Sequence, residues 1–364
     1  MRVVNRREIC SEVEERALRF LRSIGKKDEV IVVFHNDGDG ICSCALMKHF
    51  LKTHAGIDAH IISQPMPPKR TLSQRIKLSL PTKIIFLDLG IDQKKKIIKN
   101  LEMDCEILII DHHEISCNLN SKRTVHYNPL FCSRVYQAAS YLVYKLCSRI
   151  IDMKERMWVA LTGIISDYNI EDVREFINRA AKRYSNIIKP NPSREELFNS
   201  EFGRATEMIN AAKAARISCE EIVRIIESAR TLRELLENEE LARAYERVQN
   251  EIERVFVEVR SKALSSRKII LYELQSKLGI RSQISTKLST EFPDKIILVY
   301  ERSRSKIKIS ARTQLNVNLL SLMKHVLSDV HATFGGHEHA CGIEIKREDF
   351  DYFKQKLLEI ESRI

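Results

Sequence analysis

The stretch Ile107-Leu108-Ile109-Ile110-Asp111-His112-His113 decides the fold, because four apolar residues lead directly into three side chains that can bind metal. A short apolar run rich in β-branched residues is typical of a buried strand in a parallel sheet. Open α/β sheets bind their ligands at the carboxyl ends of the strands. The stretch therefore predicts a strand that ends at a ligand site. A lone Asp-His pair would indicate only that polar residues follow the strand.

Three further segments end in the same way, with an apolar run followed by acidic or imidazole side chains. Residues 30–34 lead into His35, Asp37 and Asp39, residues 83–87 lead into Asp88, and a predicted helix over residues 158–165 leads into Ser166 and Asp167. Carboxylate and imidazole without thiolate suit Mn²⁺ or Mg²⁺ better than structural zinc. Because so many acids in one cleft would repel each other without cations, we expect two metal ions.

These segments resemble the motifs of the DHH phosphoesterase superfamily, and within it the archaeal RecJ-like group. Residues 35–43 resemble motif I of this superfamily, and Asp88 resembles motif II. Asp111-His112-His113 resembles motif III, and residues 163–167 resemble motif IV. Residues 334–342 are similar to the glycine-rich GGHxxAAG loop of the DHH-associated domain, and residues 307–312 to its strand with a phosphate-binding arginine. The resemblance covers nearly the whole chain in the right order.

The resemblance implies a metal-ligand set that would hold two Mn²⁺ ions, with Mg²⁺ as the alternative. The implied ligands are Asp37, Asp39, Asp88, His112 and Asp167. Asp39 and Asp88 are the candidates to bridge the ions, since a carboxylate has two oxygens and an imidazole only one free nitrogen.

The resemblance also implies three catalytic residues, which are His113, Asp111 and His35. We expect His113 to contact the scissile phosphate and Asp111 to orient His112, fixing its tautomer. His35 occupies the motif I position of archaeal members, as a ligand or next to one. The implied substrate-binding residues are Arg312, Gly335, Gly336, His337 and His339.

Strands alternating with helices predict a doubly wound parallel α/β sheet in the first part of the chain. The strands are expected at residues 30–34, 59–63, 83–87, 106–110 and 124–127. Prolines near residue 190 and the glycine-poor, Glu- and Arg-rich sequence that follows predict a helical connector, with one long helix over residues 232–259. We therefore predict a catalytic DHH domain over residues 1–188, a connector over 189–264, and a smaller α+β domain over 265–364.

The positive charge is concentrated rather than spread. The chain carries a net charge of +11, and residues 260–312 contain 13 Lys and Arg against 4 Asp and Glu, a local excess of nine. A concentrated excess beside a metal cleft indicates a polyanionic substrate.

The composition, with 44% hydrophobic and 30% charged residues, indicates a soluble globular protein. No apolar run has the length of a membrane span, so no membrane association is expected, and the scattered cysteines indicate a reducing, cytoplasmic location. The oligomeric state stays open.

Three functions fit these observations. The first, favoured by the basic excess, is a single-strand exonuclease of DNA repair or replication that acts on DNA, with RNA left open. The second is a phosphoesterase for small substrates such as short oligoribonucleotides, phosphoadenosine phosphate or cyclic dinucleotides. The third is a replisome or helicase-associated subunit that acts mainly by binding a protein partner. The direction of digestion is not readable from the sequence.

Overall fold

Five strands form a parallel sheet in the first part of the chain, in the spatial order β2-β1-β3-β4-β5. They are β1 (Val30–His35), β2 (His60–Gln64), β3 (Lys83–Leu87), β4 (Glu106–Ile110) and β5 (Thr124–Tyr127). The structure, a computed structural model, describes residues 6–263 and 268–361. The five predicted strands and the doubly wound α/β class are confirmed.

Helices cover this sheet because its strands are apolar on both faces. The helices of this part of the chain are α1 (Arg6–Arg22), α2 (Gly38–Ala55), α3 (Leu72–Lys77), α4 (Lys95–Leu101), α5 (Ala139–Cys147), α6 (Met157–Ser166) and α7 (Arg174–Arg183). On one face Ile31, Val33, Ile84 and Phe86 belong to a fully buried apolar cluster.

The starts of two helices lie close to motif residues. Helix α5 begins at Ala139, because the backbone N–H groups of Ala139 and Ser140 donate to the Asp39 carboxylate and fix the helix start there. Helix α2 begins at Gly38, so Ser43 lies buried inside it.

The predicted connector is helical, with α8 (Arg194–Phe198), α9 (Glu201–Ala214), α10 (Cys219–Ser228), α11 (Leu232–Leu236) and α12 (Glu239–Ala263). The single long helix expected over residues 232–259 is therefore broken. The break has a local cause, since the Asn238 side chain accepts hydrogen bonds from the N–H groups of Glu240 and Leu241 and starts a new helix.

The last part of the chain forms a second, mixed sheet in the order β6-β7-β8-β10-β9. Its elements are β6 (Ile269–Glu273), α13 (Arg281–Glu291), β7 (Ile296–Arg302), β8 (Lys306–Thr313), α14 (Leu319–Val326), β9 (Ala332–His337), β10 (Ala340–Lys346) and α15 (Phe350–Glu361). β6 and β7 are parallel and the other pairs antiparallel. The expectation of a loop at residues 334–342 is partly wrong, because β9 and β10 pair there as a hairpin.

The described chain divides into two compact units. The first comprises the residues up to Lys213 and Ile217–Arg243, and the second comprises Ala214–Arg216 and the residues from Ala244 onwards. The domain limits predicted at residues 188 and 264 stay a prediction. No described helix is both long and apolar enough to cross a membrane.

Candidate metal centre

The acidic and imidazole side chains of the four motifs meet in the first unit, at the carboxyl edge of its sheet. Asp88 directly follows β3, Asp111 directly follows β4, and Asp167 directly follows α6. His35 is the last residue of β1, and Asp37 caps α2 by accepting a hydrogen bond from the Gly40 N–H at 2.9 Å. Parallel strands deliver their final residues to one edge, which explains why segments far apart in sequence converge here.

One group of side chains gathers around the end of β1. The Nδ1 atom of His35 lies 2.8 Å from Oδ2 of Asp37 and 3.5 Å from Oδ2 of Asp88. One ligand atom from each of these three residues lies within 4.8 Å of the others. The group therefore offers a nitrogen and carboxylate oxygens to a single cation.

A second group gathers around His112, which is 1% exposed. Its Nε2 lies 2.9 Å from Oδ1 of Asp88, and its Nδ1 lies 3.4 Å from Oδ2 of Asp167. Asp39, His112 and Asp167 also bring one ligand atom each within 4.8 Å of one another. Asp88 thus lies between the two groups, with one oxygen towards His35 and the other towards His112.

Asp88 has the features of a shared ligand. Its side chain is 1% exposed, and neither carboxylate oxygen makes a hydrogen bond of regular geometry among the described residues. Its backbone has φ = +58°, a left-handed conformation that is rare outside glycine and costs about 1–3 kcal/mol. Nδ1 of His112 and Oδ2 of Asp167 are likewise buried without a hydrogen bond in the part of the chain that the structure describes. This arrangement of buried polar atoms suits the binding of a shared divalent cation better than it suits direct hydrogen bonds among the side chains.

The first backbone N–H groups of α5 hydrogen-bond to the Asp39 carboxylate. Its Oδ2 accepts a hydrogen bond from the Ala139 N–H at 2.7 Å, and its Oδ1 accepts one from the Ser140 N–H at 3.0 Å. These bonds fix the orientation of a carboxylate that is 1% exposed. Each oxygen has a second lone pair, so the bonds do not prevent Asp39 from binding a metal.

Asp111 contacts a different histidine from the one expected. We expected Asp111 to orient His112, but its Oδ1 lies 2.7 Å from Nδ1 of His113, and its Oδ2 accepts a hydrogen bond from the Gly90 N–H at 3.0 Å. Burial would raise the pKa of the Asp111 carboxyl, but the contact with His113 outweighs burial and holds the pKa at about 2. Asp111 is therefore an anion that fixes the ring of His113.

The side chains of the centre shift one another's pKa values through their charges and hydrogen bonds. Burial alone would lower the pKa values of His35 and His112, but the nearby carboxylates outweigh burial and raise both to about 10. Burial raises the pKa of the Asp39 carboxyl well above its usual range, with a further contribution from Asp88, and burial raises that of Asp167 to about 7. Asp39 and Asp167 therefore retain protons more readily than ordinary carboxyls do, and His35 and His112 become cations, so this part of the site favours positive charge.

Two motif glycines are required for close packing rather than for a turn. A Cβ on Gly38 would lie 2.0 Å from Oγ of Ser166, and one on Gly163 would lie 2.4 Å from Oγ of Ser140 and 2.9 Å from Oδ1 of Asp39. A larger residue at either position would displace the elements that carry the acids. Gly38 is the first residue of α2.

Sequence reasoning missed Tyr136. Its ring stacks on the His112 imidazole with a centroid distance of 4.6 Å and an interplanar angle of 29°. No local pattern signals this contact, because residues 133–138 are not helical and lie outside every motif.

The predicted substrate-binding residues lie in the second unit. Arg312 is in β8, where its guanidinium donates to Oγ of Ser282 at 3.1 Å and to the Ala311 carbonyl at 3.0 Å. Gly335 and Gly336 are in β9, and His339 is an exposed residue of the turn to β10. The backbone of His337 ends β9, and its side chain lies outside the described part of the structure. Their substrate role stays a prediction.

Two family models match the chain. The model of the DHH family, N-terminal domain, matches residues 29–167, and the model of the DHHA1 domain matches residues 266–362. The chain is 25% identical over 378 residues to the single-stranded-DNA-specific exonuclease RecJ of Bacillus subtilis (strain 168), over 96% of this chain and 47% of that protein. The chain thus spans about half the length of this curated relative.

Solved structures share the fold. The crystal structure of RecJ in complex with Mn²⁺ from Thermus thermophilus has a TM-score of 0.72 and 17% identity, over 97% of this chain and 55% of that one. CDC45 from Entamoeba histolytica has a TM-score of 0.59 and 12% identity, over 96% of this chain and 99% of that one. At these identities the likenesses concern the fold alone. From the two family models and the motifs that build the metal centre, the chain belongs to the DHH family, as a RecJ-like protein with a DHH domain followed by a DHHA1 domain.

Proposed function

We propose that the protein is a metal-dependent phosphodiesterase that digests single-stranded DNA from an end, with RNA left open, in DNA repair or replication. The observation that carries this proposal is the buried Asp88 carboxylate, which lies between two groups of metal-ligating side chains and has no regular hydrogen bond of its own among the described residues. Support comes from the similarity to an exonuclease named as single-stranded-DNA-specific.

Two ion positions follow from the two groups. His35, Asp37 and Asp88 would hold one ion, and Asp39, His112 and Asp167 would hold the other, with Asp88 shared between them. When bound, such ions lower the pKa of a coordinated water and act as Lewis acids towards a phosphoryl oxygen. The imidazole ligands favour Mn²⁺ over Mg²⁺, because Mg²⁺ prefers sites made entirely of oxygen ligands.

His113 is the residue that we assign to the substrate. Its ring is partly exposed, unlike that of His112, and its Nδ1 is occupied by the Asp111 carboxylate. The other ring nitrogen, Nε2, is then the one available to contact a phosphate oxygen.

The DHHA1 domain would bind the phosphate backbone of the single-stranded nucleic acid. Arg312 offers a planar fork of donors that suits a phosphate, and Gly335 has no atom within 4 Å of where a Cβ would stand, so a ligand can approach its backbone. We expect the surrounding basic residues to add salt-dependent affinity through counterion release.

Digestion of end-labelled strands tests the proposal. Long and short single-stranded DNA and RNA are incubated with the full chain and Mn²⁺, with a chelator and with the Asp88→Asn variant. We expect stepwise shortening of long single strands, loss of activity with chelator, and loss of activity in Asp88→Asn.

The same assay decides between the alternatives. Cleavage confined to oligonucleotides of a few residues, or to phosphoadenosine phosphate or cyclic dinucleotides, would identify a small-substrate phosphoesterase. Metal binding without cleavage of any of these substrates would instead favour a partner-binding subunit of the replisome or of a helicase.

A further inference from the structure

Tyr136 lies against one side of the metal centre although it belongs to no motif. Its ring stacks on His112 at 4.6 Å, and its hydroxyl lies 3.5 Å from Oδ1 of Asp167. The side chain of Tyr136 is 37% exposed, so its ring contacts the buried histidine and also reaches the surface. One residue therefore touches two of the side chains that we assign to the same ion.

We propose that Tyr136 is a positioning residue that fixes His112 and Asp167 for one of the two ions. The inference rests on the proposed function only in taking this site to bind divalent cations. It assigns Tyr136 to the group formed by Asp39, His112 and Asp167, and not to the group formed by His35, Asp37 and Asp88.

The stacking contact restricts the ring of His112. The terminal torsion of a histidine is broad, so the position of the ring nitrogens depends on what packs against the ring. Tyr136 stacks on the ring, and His113 contacts it edge-on at 4.6 Å and 85°. Together these contacts hold Nε2 towards Asp88 and Nδ1 towards Asp167, the orientation that the structure shows.

The hydroxyl distinguishes the two oxygens of Asp167. Oδ1 faces the Tyr136 hydroxyl, whereas Oδ2 is buried, has no hydrogen bond to any residue that the structure describes, and lies 3.4 Å from Nδ1 of His112. A hydrogen bond to Oδ1 would leave Oδ2 as the oxygen that faces the cation. Such support of a ligand by a neighbouring group orients it before the metal binds.

Tyr136 is itself fixed by the chain that follows Asp167. Its backbone N–H donates to Oδ2 of Asp172 at 2.7 Å, and its carbonyl accepts a hydrogen bond from the Asn169 side chain. Three residues later the Ala139 N–H binds Asp39. Residues 136–140 thus contact all three members of the Asp39, His112 and Asp167 group.

Calorimetric titration of Mn²⁺ into the metal-free full chain tests this role without any nucleic acid. The wild type should bind two ions, and Asp167→Asn identifies which binding event belongs to the Asp39, His112 and Asp167 group. Tyr136→Ala should weaken that event by about 10–100-fold, the usual cost of losing a group that supports a ligand. The other event should change by less than about threefold, because its ligands keep their support.

Two further variants sharpen the result. Tyr136→Phe keeps the ring and loses the hydroxyl, so it should weaken the same event, but less than Tyr136→Ala does. Tyr352→Ala removes a tyrosine of similar exposure, 40%, from the second unit and should leave both events unchanged.

The proposal is overturned if Tyr136→Ala binds both ions as the wild type does, or if both events weaken together with a lower melting temperature. Equal losses in Tyr136→Phe and Tyr136→Ala would overturn the stacking account. A wild type that binds two ions but cleaves no strand would refute the proposed nuclease and leave the positioning role intact.

Discussion

The two units differ in where they place their charge. In the first unit Asp39, Asp88 and His112 are each 1% exposed and face one another across a small space. In the second unit the basic residues lie mostly at the surface, and most of those with an ion pair are more than a third exposed. Lys306 and Lys308, for example, have side chains that are 54% and 55% exposed. Buried charge needs a bound counterion, whereas surface charge is satisfied by water and salt.

The ion pairs of the second unit reduce the significance of its charge count. At least six of the thirteen basic residues in the segment 260–312 pair with a carboxylate of the described chain, among them Arg260, Arg281, Lys287, Arg302, Lys306 and Lys308. Exposed pairs of this kind contribute about 0–1 kcal/mol and can exchange partners. The comparison teaches that changes in the first unit should affect chemistry, whereas changes in the second should affect affinity.

The largest effect is expected at Asp88. Replacing Asp88 with Asn keeps the shape of the side chain but removes the charge shared by both groups. We expect at least about a thousandfold loss of hydrolysis, since metal ions contribute several kcal/mol of transition-state stabilisation. Strand binding should remain, because the second unit is unchanged. Single-turnover rates and fluorescence anisotropy measure the two properties.

Asp104→Asn is the matched control, since Asp104 is a surface residue paired with Lys77 and should tolerate the change. Near-normal hydrolysis in Asp88→Asn would remove the metal assignment and, with it, the division of labour between the units.

A smaller effect is expected at Arg312. Arg312→Ala should weaken single-strand binding by about 10–100-fold, because hydrogen bonds to a charged group contribute about 1.5–3 kcal/mol. It should also reduce the slope of log K against log salt by about one, as expected for one lost phosphate contact. Mn²⁺ affinity should not change, since the ligands lie in the first unit.

Arg304→Ala is the matched control, because Arg304 is an exposed residue of the same basic segment. If both variants lost affinity equally, the binding would depend on general charge, and Arg312 would have no special role. Loss of Mn²⁺ binding in Arg312→Ala would contradict the separation of functions.

The smallest effect is expected in the β9–β10 hairpin, on stability. Gly336 has φ = +151°, and a Cβ there would lie 2.0 Å from the Ala340 carbonyl oxygen. Gly336→Ala should lower the free energy of unfolding by about 1–3 kcal/mol, because alanine is strained in this conformation. Gly335→Ala, in the same strand, should change it by less than about 0.5 kcal/mol, since a Cβ meets no atom within 4 Å. Denaturant unfolding compares the two, and equal losses would contradict this geometric explanation.

Much of the first unit could be predicted from the sequence. Its five strands are short apolar runs bounded by polar residues, and a strand buried on both faces leaves this pattern in any context. The residues that end these strands followed directly, because parallel strands all present their carboxyl ends on one edge. The second unit was less predictable, since the two glycines of β9 indicate a turn locally and the pairing with β10 overrides that preference.

The sequence by itself determined the fold class, the positions of the motif residues and the carboxylate and imidazole ligand types that suit a divalent cation. Only the tertiary structure decided that Asp111 contacts His113, that the α5 amides hold Asp39, and that Tyr136 stacks on His112. The physical reason is separation along the chain, since Asp39 and Ala139 are 100 residues apart. Local pattern places a side chain at the end of a strand, but the contact that orients it comes from whichever segment the fold brings alongside.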